Sequence, residues 1–327
     1  MLTFWFHLYP DLNKAIGGVK QVHRCAELIE TLGHRAVLVQ DDPKFHPGWF
    51  QSSLDTISRR EWHSLNLDPS CNIAVFAETF ILALGKLRNK LPVIVFNQNF
   101  SYSFGLKGQK LFDPSSVLRI YQSELVLQVW CVSQYDRESL LNIGVSQSKI
   151  FILSNCVDTQ PFPLECQKNR QICFMPRKNQ LESDVVVNLL GSRPNLKSWQ
   201  IYPIANCSHD EVIRIMQSSL IFLSFGHPEG FGLPVAEALI SGCSVIGFTG
   251  LGGRELFDIA SEYQMAWPIE FGDLSKFLPS VDSCIDNFLQ NKVDYISRSR
   301  DLAHVIYSKY NHQSMKDSLS CCLNLLS

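Results

Sequence analysis

Short apolar runs, closed off by glycine, proline or polar residues, alternate along this chain with stretches where apolar residues return every third or fourth position. A continuous run of four to eight apolar residues suits a strand buried on both faces, and the longer period suits a helix packed along one face. Residues 2–8, 36–39, 73–76, 93–96, 128–132 and 150–153 read as strands in the first half, and 172–175, 199–202, 220–223, 244–248 and 265–269 in the second. Between them Val19, Val22, Ala26, Ile29 and Leu32 mark a helix that Gly33 would end. Further helices are expected over 117–127, over 135–143 with Gly144 as its stop, over 209–216, and from 235 to 240 between Pro234 and Gly242.

Strand and helix in strict alternation predict an α/β fold of parallel sheets covered on both faces. Eleven strands and 327 residues call for two domains, placed at 1–160 and 161–327, with Pro161, Pro163 and the polar run 165–171 as the linker. The second domain should be somewhat shortened, because 191–199 leaves little room for a full strand-helix unit, and the last helix is expected to pack back on the first domain. Residues 43–70, with Trp49 and Trp62, show no clear period and are read either as an acceptor-facing excursion or as loosely structured surface.

The candidate chemistry is densest over residues 225–256. A buried strand there feeds a turn containing Gly226, Pro228, Gly230 and Gly232, and then a helix beginning at Leu233-Pro234. Such a turn aims free backbone N–H groups and the positive end of the helix dipole at one point, which suits a phosphate. Glu229 in the turn and Glu237 one helical turn past Leu233 would repel a phosphate, so they are read as acceptors of hydroxyl hydrogen bonds. A ligand with hydroxyl groups on both sides of a diphosphate is a nucleotide sugar. Asn97, Gln98 and Asn99, at the end of the strand over 93–96, either hold a hydroxylated acceptor or satisfy their own loop.

The run from Glu229 to Glu237, Glu-Gly-Phe-Gly-Leu-Pro-Val-Ala-Glu, with Gly-Leu-Gly-Gly and Glu255 downstream, resembles the E-x7-E signature of family 4 retaining glycosyltransferases of the GT-B fold. That resemblance implies two Rossmann-like doubly wound domains facing a central cleft. It implies that Glu229 and the backbone of Gly230, Phe231 and Gly232 hold the donor sugar, that Glu237 holds the ribose, and that the anomeric configuration is retained. Arg177 matches the family's diphosphate-binding arginine. The usual lysine position falls near Glu182, so Lys178 is expected to substitute. Gly17-Gly18 resembles the loop that closes over the diphosphate, and Ile204 follows the strand where relatives seat the nucleobase. Asn155-Cys156-Val157-Asp158 is similar to the family's Asn-Gly-Val-Asp turn, with cysteine in place of glycine. The histidine that many members carry near residues 97–99 is absent from this chain.

Composition narrows the remaining classes. A net charge of −2 gives no electrostatic case for a nucleic-acid partner. Eleven cysteines without a C-x-x-C pair or a His/Cys cluster indicate neither zinc nor a disulfide scaffold, and fit buried thiols in a reducing cytoplasm. No apolar run reaches the roughly 20 residues that span a bilayer, so a cytoplasmic enzyme is expected, at most peripheral at the inner face of a membrane. No Asp-x-Asp motif is present, and neither metal nor other cofactor is expected. Leaving-group charge would then be met by Arg177, Lys178 and the helix start at Gly232 and Leu233. Two paired acids also invite a glycosidase reading, against which their placement on one phosphate-binding turn argues. A non-catalytic partner subunit that binds nucleotide or glycan, and a nucleotide-sugar epimerase, stay as alternatives.

Overall fold

The structure is a computed structural model that describes residues 1–7, 16–84, 91–105, 111–163 and 167–326. Leu8 of the strand expected over 2–8, and residues 165–166 of the expected linker, lie outside the described residues. The first half contains β1 (Thr3–His7), α1 (Gly17–Thr31), β2 (Arg35–Gln40), β3 (Asp55–Ser58), α2 (Arg59–Ser64), β4 (Asn72–Ala77), α3 (Ile81–Leu84), β5 (Val93–Asn97), α4 (Pro114–Gln122), β6 (Val126–Cys131), α5 (Gln134–Asn142) and β7 (Ile150–Ile152). The second half contains β8 (Asn169–Phe174), α6 (Gln180–Gly191), β9 (Gln200–Pro203), α7 (His209–Ser218), β10 (Ser219–Ser224), α8 (Leu233–Ile240), β11 (Ser244–Phe248), α9 (Arg254–Glu262), β12 (Ala266–Ile269), α10 (Phe277–Gln290), α11 (Lys292–Lys309) and α12 (His312–Asn324). Two compact units result: Met1–Cys156 together with His312–Ser327, and Val157–Asn311.

In the first unit seven parallel strands lie in the order β3-β2-β1-β4-β5-β6-β7. Alternate residues of these strands, among them Trp5, Val37, Val39, Ala74, Phe76, Val93, Val95 and Val129, share one face and pack with Trp62, Ile81, Val117, Tyr121 and Leu140 from the helices. α12 belongs to this unit through side chains as well as packing. Gln128 of β6 donates to the Cys322 carbonyl at 2.9 Å, and the Ser318 hydroxyl accepts from the Ser154 N–H at 3.1 Å.

The second unit carries five parallel strands in the order β12-β11-β10-β8-β9. The chain runs from β8 outward to β9 and then returns to the other side of β8 as β10. That reversal makes the carboxyl ends of β8 and β10 the switch point of the sheet, where open parallel sheets bind ligands.

Three expectations need correction. Residues 43–70 are not loosely structured surface: they contain β3 and α2, with Trp62 only 1% exposed. β3 reads Asp-Thr-Ile-Ser and is an edge strand, so it offers no apolar run to find, while Ser58 and Glu61 form a capping box that starts α2. The helix expected over 117–127 is shifted, because Asp113 caps it, Pro114 opens it and Ser123 turns extended, which frees Val126 to begin β6. β8 begins at Asn169 and takes part of the expected linker. Cys156 needs no left-handed backbone either. It is absent from the positive-φ residues, and the Gln21 side chain of α1 holds its N–H at 2.8 Å and its carbonyl at 2.7 Å.

Most cysteines behave as the composition led us to expect. Cys25, Cys131, Cys156, Cys173, Cys243, Cys284 and Cys322 are buried free thiols, and only Cys321 is exposed among the described ones. No described helix is long and apolar enough to cross a membrane.

One buried histidine has a consequence for acid stability. His23 of α1 is 1% exposed, sits edge-on to Phe50, and neither of its ring nitrogens has a hydrogen-bond partner. Burial first, then the nearby His46 and Arg24, lower its pKa from 6.5 to about 4. The unfolded chain therefore binds a proton in this window that the folded chain does not, so stability is complete above pH 6.5 and declines as pH falls toward 4. The loss from this residue should reach about 3 kcal/mol. Urea unfolding of wild type and His23→Phe at about pH 5 and about pH 7 checks this: the variant should show the shallower dependence, and equal dependences would assign the acid loss elsewhere.

Candidate functional site

The site is built at the β8–β10 switch point of the second unit. β10 pairs with β8 so that Phe222 lies beside Cys173 and Leu223 beside Phe174. The residues that follow each strand, Pro176-Arg177-Lys178 on one and the Glu229 turn on the other, therefore emerge side by side although some fifty positions separate them in the chain. The Lys178 ammonium forms an ion pair with Glu229 Oε1, both side chains being partly exposed. An ion pair of this exposure contributes about 0–1 kcal/mol to stability, so its value lies in what it juxtaposes. Arg177 is exposed on the same turn.

Asn179, which sequence reasoning passed over, joins the two segments. Its side-chain amide donates to the carbonyls of Phe225 at 2.7 Å and His227 at 3.1 Å, and its own backbone is left-handed with φ 48°. Asparagine is one of the few residues that tolerates this conformation. An asparagine between a strand end and a helix start was the available signal.

From Ser224 the chain passes a cis His227-Pro228 bond and reaches Gly232, left-handed at φ 90°, which precedes α8; Pro234 occupies its first turn. Glu229 is held by its backbone to the loop after β11. Its N–H donates to the Gly250 carbonyl at 2.7 Å, and its carbonyl accepts from the Gly252 N–H at 3.0 Å. The approach is so close that a Cβ on Gly252 would lie 1.8 Å from the Gly230 carbonyl oxygen. The downstream Gly-Leu-Gly-Gly is thus the floor of the Glu229 turn. Gly230 and Phe231 lie between this floor and the helix start, both buried. On α8, Leu233 and Glu237 are half-buried while Val235, Ala236 and Ala238 are buried, which separates the open side of the helix from its core side. Ile204 stands at the end of β9, its N–H bonded to the Phe174 carbonyl at 2.7 Å.

His227 stacks on Phe271 with centroids 4.2 Å apart, and burial lowers its pKa from the ordinary value despite the opposing pull of Glu229.

Within the first unit the remaining candidates gather at the carboxyl end of β5. Gly17 and Gly18 are the first residues of α1. The Gly18 carbonyl accepts from the Gln98 side chain at 2.9 Å, and a Cβ on Gly18 would lie 2.3 Å from Gln98 Oε1. Asn97 is fully buried and donates to the Tyr121 hydroxyl at 2.9 Å and the Ser103 hydroxyl at 3.2 Å. Asn99 accepts from the Ser101 N–H at 3.1 Å, and the Gln98 N–H donates to Glu78 Oε2 at 3.0 Å. Asn99 is satisfied within its own loop, Gln98 reaches α1, Asn97 reaches both its loop and α4 while its Oδ1 has no partner, and Gln98 alone of the three is half-exposed.

Comparison with known proteins adds the following. No family model matches the chain. An alpha-1,6-glucosyltransferase of Actinobacillus pleuropneumoniae is 30% identical over 164 residues, which covers 50% of this chain and 49% of that protein. The match thus spans about half of each. Among solved structures, a glycosyltransferase from Rickettsia africae is similar with a TM-score of 0.67 at 17% identity, covering 100% of this chain and 99% of its own. TarM gives a TM-score of 0.72 at 12% identity over 99% of this chain and 98% of its own. Anabaena HepE, solved with UDP and glucose, gives 0.66 at 10% identity over 99% and 100%. Likeness at these identities concerns the fold, and it runs the length of the chain: two Rossmann-like units of the kind found in GT-B glycosyltransferases.

Proposed function

We propose that the chain is a retaining glycosyltransferase of the family 4 type that moves a sugar from a nucleotide diphosphate to a hydroxyl acceptor, in the assembly of a glycan or surface polysaccharide. The observation that carries this reading is the meeting of Lys178 and Glu229 at the switch point, beside the glycine-rich start of α8. A cation, a carboxylate and free N–H groups within one small region match the three parts of a sugar diphosphate. The relative named a glucosyltransferase and the neighbour holding UDP and glucose make UDP-glucose the first donor to test. The enzyme would work in the cytoplasm or peripherally at a membrane.

Transfer breaks the bond between the anomeric carbon and a phosphate oxygen. Negative charge grows on the leaving diphosphate while the sugar becomes cation-like. In this reading Arg177 and Lys178 meet the growing charge, helped by the N–H groups at Gly232 and Leu233. A helix terminus contributes about 0.3–2 kcal/mol, whereas one preorganised donor contributes about 2.7–4 kcal/mol. The basic pair therefore dominates, and no metal is needed for charge balance. Glu229, released from Lys178 when the diphosphate arrives, accepts from sugar hydroxyls, while the backbone N–H groups of Gly230, Phe231 and Gly232 donate to the same sugar. Glu237 takes the ribose and Ile204 the base. On the acceptor side Gln98 is the one half-exposed amide of its trio, with Asn97 and Asn99 holding its loop, while Gly17-Gly18, whose Gly18 carbonyl accepts from Gln98, keeps its role toward the donor diphosphate.

Three measurements test this. UDP should raise the melting temperature above GDP, ADP and dTDP, since a ligand at 100 times its Kd adds about 2.7 kcal/mol; no shift with any of them would remove the donor site. Lys178→Ala and Arg177→Ala should each lower kcat by about 10²–10³, with Glu229→Ala comparably impaired and all three still folded by circular dichroism. Full activity in Lys178→Ala would sink its leaving-group role. With an α-linked donor the product linkage should be α by NMR, and a β product would overturn retention. Nucleotide release without any acceptor would favour the epimerase alternative, and binding without turnover across an acceptor panel the partner-subunit alternative.

A further inference from the structure

Tyr310 follows α11 near the end of the second unit, and nothing in its sequence context marks it. Its ring meets Phe231 edge-on, with centroids 4.8 Å apart, and its hydroxyl donates to Glu255 Oε1 at 3.1 Å. Its backbone is fixed on both sides. The N–H donates to the Ile306 carbonyl at 3.1 Å, and the carbonyl accepts from the Val157 N–H at 2.9 Å. Phe231 belongs to the turn that carries Glu229, and it is 4% exposed. Glu255 lies in the first turn of α9, immediately after the Gly252-Gly253 floor on which that turn rests. Tyr310 thus touches the turn with its ring and the helix behind the floor with its hydroxyl.

We infer that Tyr310 is a positioning residue for the sugar-diphosphate donor: it ties Phe231 to Glu255 and so holds the two glycine-rich loops in the single arrangement that aims the start of α8 at the diphosphate. The inference rests on the donor site proposed above. Glycine-rich loops have the most backbone freedom to lose and no side chains of their own to restrain them, so their rigidity has to come from neighbours. Gly230 and Gly232 flank Phe231, so at the helix-side end of the turn its ring is the side chain that offers a grip. The phenol suits both tasks. Burial, followed by the Glu255 carboxylate, raises its pKa above the ordinary value, so the hydroxyl stays protonated as a donor. Phenylalanine would fill the same space and leave α9 untied.

Binding of two ligands separates positioning from mere support of the fold. The donor with the largest thermal stabilisation among UDP-, GDP-, ADP- and dTDP-glucose is compared by calorimetry with its own nucleoside monophosphate, which does not reach the sugar end of the turn. Tyr310→Phe should weaken the intact nucleotide sugar on the order of tenfold and leave the monophosphate unchanged. Glu255→Ala should do the same, Glu255→Gln should restore wild-type binding, and the Tyr310→Phe/Glu255→Ala pair should be no worse than either single change. Equal losses for both ligands, additive losses in the pair, or wild-type binding by Tyr310→Phe would each overturn the assignment. If wild type binds none of the four nucleotide sugars, the donor reading itself falls and this assignment with it.

Discussion

Everything at the site depends on the parallel pairing of β8 with β10. Once Cys173 and Phe174 register against Phe222 and Leu223, the two strands must end at the same rim of the sheet, and the segments after them are forced together. Parallel strands are joined by crossovers, so neighbours in such a sheet come from distant parts of the chain. That is how Lys178 comes to pair with Glu229. The apolar strands provide the stability, and the polar residues at their ends inherit a fixed geometry without having to create it.

The turn itself is held by close backbone approach. Glu229 exchanges hydrogen bonds with Gly250 and Gly252, and side chains would not fit where Gly252 meets Gly230. The glycines that permit this close approach also deprive the loops of packing, and Asn179 and Tyr310 make contacts to them from outside. One is a local amide at a left-handed position; the other reaches in from the far end of the unit. A site of this kind is an assembly of restraints around an emptied backbone, which explains why residues with no evident chemistry belong to it.

Much of this was legible in residue order, and the reasons differ by element. The strands buried on both faces announce themselves as unbroken Val/Ile/Leu/Phe runs, as in Leu220-Ile221-Phe222-Leu223, and Gly33 and Gly144 mark helix ends because only glycine is comfortable at their positive φ of 85° and 91°. β3 was invisible because an edge strand is half-exposed and reads as polar, and Trp62 gave no period of its own because its helix spans only two turns. Residue order left the amides at 97–99 open between a ligand and their own loop, because the partners that Asn97 donates to, Ser103 and Tyr121, lie six and twenty-four residues away.

By itself, then, the amino-acid order determined the class of fold, the succession of elements and the glycine-acid turn before α8, since these follow from hydrophobic period, backbone freedom and capping, all local properties. Which strand lies beside which was decided by the tertiary structure, and with it the Lys178–Glu229 pair, the Asn179 clasp and the reach of Tyr310 to Phe231 and Glu255. Those contacts join residues tens of positions apart, and the sheet order that brings them together is chosen by burial of the whole unit, a quantity no short stretch of sequence contains.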